Sequence, residues 1–227
     1  MADEPSQATD RTPRYRVSAP RRAPIAGIVV FHPWWGLNDD VLAYSDRLAG
    51  AGFAVAAPDL YGGAIATTIE DAERLSGTID DSAGEACALA ALEDLTNTLG
   101  GSKGRIGAIG FSMGAPWAIW LAAQRPAVDA TVVYYGTSAG PSLARSKAPV
   151  LGHFAEHDAY EPEESIAAFA GSLKAAGRTA ELHRYPGTSH WFAEPSRPEY
   201  EPAAAELAYA RTVAFLRQRL VGPVPGA

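Results

Sequence analysis

The segment GFSMG, centred on Ser112, could supply a nucleophile. It matches the pattern G-x-S-x-G and stands between an apolar run and a helical pattern. A sharp turn at that place exposes the serine hydroxyl beside a helix N-terminus, which favours negative charge developing on a nearby oxygen. The alternative is a small-residue turn in which the serine only caps the helix. Because a hydroxyl is a poor nucleophile without a base, a partner histidine and carboxylate would favour the first interpretation.

Four histidines follow Ser112, and His190 has the position that a base requires. The chain order expected with such a turn is serine, then an acid, then histidine. His153 and His183 fall inside predicted strands, where a packed or surface side chain is expected. His190 lies in a loop between the last predicted strand and the last predicted helix, from which it could reach over the sheet.

Asp158 is the acid that this order selects, because it follows a predicted strand by a short turn. A carboxylate there could fix the imidazole tautomer and stabilise the imidazolium. Glu156 and Glu161 are the other candidates, and an ordinary loop charge is the alternative for all three. His153 and His157 stand four residues apart, but this spacing aligns metal ligands on a helix and not at a strand end, so no metal site is predicted.

Two backbone amides could stabilise an oxyanion beside Ser112. One is the N–H of Met113, directly after the serine, and the other should come from the loop after an early strand. Residues 31–39 form such a loop, and Trp34 is its expected donor because Pro33 has no N–H.

Short apolar runs alternate with helical patterns along the chain, which predicts an α/β fold with a mainly parallel central sheet and helices on both faces. The last helix is predicted to bury a stripe of Leu207, Ala210, Val213, Leu216 and Leu220. We expect one domain at 14–221, with a flexible tail at each end, 1–13 and 222–227. The strands are expected at 25–32, 53–58, 104–111, 129–136, 148–158 and 179–187, and the helices at 40–52, 82–99, 112–124, 162–177 and 201–220.

Composition limits the possible partners. The net charge of −7 and the absence of a dense basic cluster argue against nucleic-acid binding. The polar start does not resemble a secretory signal, no apolar run is long enough to span a bilayer, and Cys87 is the single cysteine. These features predict a cytoplasmic protein that does not associate with membranes.

Four segments together resemble the dienelactone hydrolase family: residues 29–63 (VVFHPWWGLNDDVLAYSDRLAGAGFAVAAPDLYGG), 106–115 (IGAIGFSMGA), 149–158 (PVLGHFAEHD) and 185–192 (YPGTSHWF). The resemblance extends over about residues 25–216. It implies an α/β-hydrolase fold without a large lid, acting on small esters or lactones without a cofactor. By position it also places a catalytic triad on Ser112, Asp158 and His190.

Three positions depart from that family's pattern. Ser112 stands where the best-known members have cysteine, and Pro33 stands where they have an acid that helps to activate it. These changes agree, because a serine would rely on His190 alone. Glu194 stands where members that open dienelactones hold the substrate carboxylate with an arginine, so we expect it to repel such a substrate.

The substrate pocket is expected to be aromatic, because many aromatic residues lie in or near the motif loops. Trp34 is a further candidate for its lining, whereas Trp117 and Trp120 are expected in the core. The predicted pocket residues are Trp35, Tyr61, Tyr135, Trp191 and Glu194.

The sequence therefore predicts a serine hydrolase that cleaves a small ester or lactone through an acyl-serine intermediate. The alternatives are a non-catalytic protein that binds a small molecule with the same fold, and an acyl transferase or peptidase. A monomer or weak homodimer is expected.

Overall fold

The structure is a computed structural model that describes residues 14–101, 105–124, 128–137 and 140–221. The tails predicted at 1–13 and 222–227 lie outside the described residues. The strands are β1 (Tyr15–Ser18), β2 (Ala26–Phe31), β3 (Phe53–Pro58), β4 (Ile106–Phe111), β5 (Val128–Tyr134), β6 (Val150–His157) and β7 (Ala180–Ser189). The helices are α1 (Asp39–Gly50), α2 (Ile69–Ser76), α3 (Asp81–Thr98), α4 (Gly114–Gln124), α5 (Gly140–Arg145), α6 (Glu163–Ala175) and α7 (Pro202–Leu220).

The described strands form a seven-stranded sheet in the order β1-β3-β2-β4-β5-β6-β7. All neighbours pair in parallel except β1, which is antiparallel to β3. The predicted α/β fold is therefore confirmed. The edge strand β1 was missed, because none of its four residues is buried and they lack the apolar run that marked the other strands.

The central strands are apolar along their whole length because helices cover both faces of the sheet. Every residue of β2, β3 and β4 is buried. One core cluster joins the sheet to α1 and α7, and two others join it to α3, α4, α5 and α6. No helix in the described part of the chain is long and apolar enough to cross a membrane.

The stripe predicted on α7 is wrong at its N-terminal half. Leu207 is 47% exposed and Ala210 is exposed, whereas Leu216 and Leu220 are buried as predicted. The buried face instead begins with two small residues, Ala205 and Ala208, and continues through a polar one, Thr212. The apolar pattern missed this face because alanine and threonine do not stand out as core residues in the sequence.

A chain of buried hydrogen bonds runs under α7 and joins five elements. His153 Nδ1 lies 2.7 Å from the Tyr185 hydroxyl, and its Nε2 lies 3.0 Å from Thr212 Oγ1. Thr212 Oγ1 is 2.9 Å from the Tyr134 hydroxyl, which is 3.0 Å from that of Tyr44. Burial holds the pKa of His153 well below its usual value. His153 is thus a packed, neutral residue, as its place in a strand predicts.

Two threonines provide a matched test of this network. We expect Thr212→Val to lower the free energy of unfolding by roughly 2–4 kcal/mol, because Tyr134 and His153 each lose a buried partner. Thr131 is equally buried, and its Oγ1 has no hydrogen-bond partner among the described residues. Thr131→Val should therefore leave stability unchanged or raise it. Urea unfolding of both variants measures the difference, and equal losses would contradict a bonded role for Thr212.

Candidate active site

The crevice for a ligand should lie where the chain order of the strands reverses. β2 lies between β3 and β4, so the chain leaves β2 in one direction and returns to pair with its other side at β4. The loops that follow β2 and β4 therefore diverge and leave space at the carboxyl edge of the sheet. Trp34 lies in the first of these loops, and Ser112 directly follows the second strand.

Ser112 occupies a strained turn between β4 and α4. Its φ is +48°, a left-handed conformation that costs a residue with a side chain on the order of 1 kcal/mol. The turn is tight on both sides: a Cβ on Gly110 would overlap the carbonyl of Gly114, and a Cβ on Gly114 would lie 2.5 Å from the carbonyl oxygen of Phe31. The strain and the close contacts hold the partly exposed hydroxyl at the N-terminal end of α4.

Ser112, His190 and Asp158 form one hydrogen-bonded chain. Ser112 Oγ lies 2.9 Å from His190 Nε2, and His190 Nδ1 lies 2.8 Å from each carboxylate oxygen of Asp158. Only 5% of the His190 side chain and 1% of the Asp158 side chain are exposed. With a proton on Nδ1 directed to the carboxylate, Nε2 is left to accept a proton from the serine.

Strand register explains why Asp158 and His190 meet although 32 residues separate them. β6 and β7 are parallel neighbours, and His157 at the end of β6 is paired with Ser189 at the end of β7. Asp158 directly follows His157, and His190 directly follows Ser189. Parallel pairing therefore places the acid beside the histidine.

The carboxylate of Asp158 is also held by the loop that follows it. The amides of Tyr160 and Glu161 both donate to Asp158 Oδ1 at 2.9 Å. Glu161, one of the other candidate acids, instead binds the amide and hydroxyl of Thr137. Glu156 accepts from the amide of Gly187 at 2.7 Å and is largely exposed. Neither glutamate takes part in the hydrogen bonds of His190.

The amides of Trp34 and Met113 make no hydrogen bond with any of the described residues, so both can donate to a ligand. The loop that carries Trp34 is fixed by His32. Leu60 N–H donates to His32 Nε2 at 3.1 Å, so the imidazole proton resides on Nδ1 and is donated to the Pro33 carbonyl at 2.7 Å. Burial lowers the pKa of His32, which keeps this arrangement uncharged.

Four of the five predicted pocket residues do not provide exposed lining. Trp35, Tyr135, Trp191 and Glu194 are each less than 5% exposed, so they form a packed layer beneath the site. Tyr61 is partly exposed, and its hydroxyl donates to Met113 Sδ at 3.3 Å. Large aromatic residues near a motif are as easily core as lining, and their positions in the sequence do not distinguish the two.

Tyr160 is an aromatic residue at the site that the sequence did not reveal. It is 43% exposed, and its ring centroid lies 4.9 Å from that of His190, 5.1 Å from Trp191 and 5.7 Å from Trp34. Its place two residues after Asp158, within the turn that binds the carboxylate, was the signal that could have identified it. Trp117 and Trp120 are partly buried against the core cluster of α3 and α4, as predicted.

Glu194 is buried, so it does not line the pocket from which it was expected to repel a substrate carboxylate. The side chain is 3% exposed, and Tyr135 donates to its Oε1 at 2.8 Å. Burial raises the pKa of Glu194 to about 8. The carboxyl group therefore holds its proton at neutral pH. The described residues contain no cluster of three or more histidine, cysteine or acidic side chains that could bind a metal.

Comparison with known proteins identifies the family of the chain. The dienelactone hydrolase family model matches residues 14–220. A relative from Bradyrhizobium sp., named "Probable 2-oxo-3-(5-oxofuran-2-ylidene)propanoate lactonase", is 28% identical over 213 residues, which cover 87% of this chain and 86% of the relative.

Two solved structures show the same fold. A "Putative Dienelactone Hydrolase" from Klebsiella pneumoniae superimposes with a TM-score of 0.80 at 24% identity, over 91% of this chain and 93% of the other. A dienelactone hydrolase-like promiscuous phosphotriesterase from metagenomic libraries gives a TM-score of 0.73 at 24% identity, over 88% of each chain.

The sheet order and the serine turn define an α/β-hydrolase. Within that class, the chain belongs to the dienelactone hydrolase family.

Two glycines test the steric constraint on the serine turn. Neither Gly110, in β4, nor Gly171, in α6, has a positive φ, so a left-handed backbone does not account for a difference between their alanine variants. We expect Gly110→Ala to lower the free energy of unfolding by about 3 kcal/mol or more, because its methyl group overlaps α4. A Cβ added to Gly171, in α6, would meet no atom within 4 Å, so Gly171→Ala should be neutral or stabilising by up to about 1 kcal/mol. Thermal unfolding compares them, and a tolerated Gly110→Ala would contradict the close packing.

Proposed function

We propose that this protein hydrolyses small carboxylic esters or lactones with Ser112 as nucleophile. The observation that supports this most directly is the unbroken chain of hydrogen bonds from Ser112 Oγ through His190 to Asp158. Ser112 Oγ attacks the substrate carbonyl carbon while its proton passes to His190 Nε2. The tetrahedral intermediate then collapses, His190 protonates the leaving alkoxide, and an acyl-serine remains.

The second half of the reaction repeats these proton transfers with water. His190 removes a proton from a water molecule, the resulting hydroxide attacks the acyl carbon, and the proton returns to Ser112 Oγ as the acid leaves. Asp158 keeps its negative charge and stabilises the imidazolium formed in each half. The amides of Met113 and Trp34 donate to the carbonyl oxygen when it becomes negative.

The substrate's apolar part fits the side chains around the serine. Trp34 and Met113 are partly buried and Tyr160 is exposed, and none of these carries a charge. Arg197 lies beneath the site. Its guanidinium group is 3.7 Å from the ring centroid of Trp35 and 5.2 Å from that of Trp191, and both tryptophans are buried. The name of the Bradyrhizobium relative describes a lactonase, which supports an ester or lactone carbonyl as the reacting group.

Replacement of the nucleophile tests the reaction. Ser112→Ala should lower kcat on a p-nitrophenyl ester by at least about 10³-fold, because no other group forms the acyl intermediate. Ser172→Ala is the matched control, since Ser172 lies on the exposed face of α6 and bonds only the Ala168 carbonyl. A fluorophosphonate should label the wild type and the control stoichiometrically and leave Ser112→Ala unlabelled.

Other results of that experiment would favour the alternatives. An unlabelled wild type would indicate a binding protein without catalysis. Labelling followed by acyl transfer to added alcohol instead of water, seen by product analysis, would indicate a transferase. Full activity in Ser112→Ala would exclude the proposed nucleophile.

Charge on the acyl chain should decide which esters are accepted. We expect kcat/KM to be at least about tenfold higher for p-nitrophenyl hexanoate than for the p-nitrophenyl monoester of adipate, which has the same length and a terminal carboxylate. The carboxylate would lose its hydration among uncharged rings and approach the negative Asp158. Equal values, after correction for spontaneous hydrolysis, would show that a cationic group reaches the substrate.

We further propose that residues 14–221 act as one domain in the cytoplasm, as a monomer or weak homodimer that binds neither nucleic acid nor membranes. Strands from both ends of this range join the same sheet, which supports the single domain. The negative net charge and the single cysteine support the other assignments.

A further inference from the structure

A second carboxyl group, that of Glu194, is separated from the proposed base by one aromatic ring and has no role in the reaction described above. Tyr135 donates to Glu194 Oε1 at 2.8 Å, and the centroid of the Tyr135 ring lies 5.0 Å from that of His190. Both residues are almost completely buried. Glu194 Oε2 has no hydrogen-bond partner among the described residues. A group that contacts His190 through the Tyr135 ring can act on the reaction without touching the substrate.

Tyr135 is held in a strained position beside the serine turn. It follows β5 with a φ of +37°, and its amide donates to the His153 carbonyl at 2.7 Å. Phe111 and Tyr134 are paired in the sheet, so Ser112 and Tyr135 are the next residues along neighbouring strands. The backbone of Tyr135 is thus constrained, and the hydrogen bond to Glu194 also holds its hydroxyl group.

Glu194 is also linked to His190 through the chain. The two residues are the ends of a compact turn in which the Phe192 amide bonds the Ser189 carbonyl and the Glu194 amide bonds the Trp191 carbonyl. Movement of Glu194 would therefore reach His190 by two routes, through this turn and through the Tyr135 ring. The other ring close to His190 on the exposed side is that of Tyr160, at 4.9 Å.

The groups around Glu194 favour its neutral form. Burial has the largest effect and raises its pKa to about 8, while the hydrogen bond from Tyr135 acts in the opposite direction. Among the charged groups that face it, Asp40 at the start of α1 and Glu199 in the following loop raise the pKa, and Arg197 lowers it. An ionised Glu194 would need water or a donor at Oε2, and the turn must move to admit either one.

We propose that protonated Glu194 is a positioning residue that acts through Tyr135 to hold the His190 imidazole, so that its ionisation lowers turnover at alkaline pH. This rests on the function proposed above, in which His190 is the base. The added negative charge would also stabilise the imidazolium and slow the return of its proton to Ser112 Oγ when the acyl-serine is hydrolysed.

The pH dependence of turnover tests the proposal. With a neutral p-nitrophenyl ester, the wild-type kcat should fall at least about threefold between pH 7 and pH 9, because Glu194 loses its proton over this range. Glu194→Gln keeps the shape without the ionisation, so its kcat should change less than about twofold between these pH values. Glu199→Gln removes a nearby charge without touching Tyr135 and should retain the alkaline decline.

Two outcomes would overturn the proposal: a wild type that shows no alkaline decline, or a Glu194→Gln variant that declines as the wild type does. If the wild type neither turns over nor reacts with fluorophosphonate at pH 7, the proposed function itself fails, and the two failures are thus distinguishable. Tyr135→Phe adds an independent readout. Because Glu194 acts on His190 through this hydrogen bond, its loss should weaken the alkaline decline. Any decline that remains through the turn should move to higher pH, since the hydrogen bond lowers the pKa of Glu194.

Stability gives a measurement that needs no turnover. An unfolded glutamate loses its proton near pH 4.5, whereas folded Glu194 keeps it to about pH 8. The folded state binds more protons across this window, so stability should fall as pH rises through it. The wild-type urea midpoint should decrease from pH 5 to pH 8, and the decrease should be smaller in Glu194→Gln. If Glu194→Gln does not fold, two results together would overturn the proposal. The wild-type urea midpoint would not change between pH 5 and pH 8, and kcat of Tyr135→Phe would fall at alkaline pH to the same extent and at the same pH as in the wild type.

Discussion

The close approach of α4 to the ends of β2 and β4 leaves no space for a Cβ atom at Gly110 or Gly114. This contact forces the chain into a left-handed turn at Ser112 and aims the N-terminus of α4 at the same place. The strain at Ser112 is tolerated because the sheet on one side and the helix on the other are both buried. His190 and Asp158 are arranged around this turn, since the hydrogen bonds that join them lead to Ser112 Oγ.

Those residues come from strands that end at the same edge of the sheet. The amide of Trp34 follows β2, Asp158 follows β6 and His190 follows β7, so the parallel pairing of strands brings together residues far apart in sequence. Side chains beneath the loops then connect one loop to another by hydrogen bonds. His32 ties the loop after β2 to the loop after β3, and Glu161 ties the loop after β6 to Thr137. Buried and partly buried hydrogen bonds thus connect the loops of the site.

The sequence predicted those parts that depend on local pattern and chain order. Apolar runs marked six strands, and the serine–acid–histidine order selected three residues that the fold brings within hydrogen-bond distance. Exposure was predicted poorly. Trp35 and Trp191 pack against each other at 5.0 Å, and Leu207 faces solvent, because burial depends on the neighbouring elements and not on residue type. The same reason explains Glu194, whose pKa is raised by its burial among neighbouring elements, which its residue type does not reveal.

The distribution of charge around His190 connects these observations. Pro33 cannot ionise, Glu194 holds its proton at neutral pH, and the rings of Tyr135, Tyr160 and Trp191 surround the imidazole. Asp158 is therefore the ionised group in contact with His190, and two amides besides the imidazole bind it. In such surroundings the attraction between the imidazolium and this carboxylate is weakened little by solvent. A second negative charge beside the imidazole would bind the proton too strongly for efficient return to the leaving group. In the proposed mechanism Ser112 relies on His190 alone, and neither Pro33 nor a protonated Glu194 adds a negative charge that would compete with Asp158.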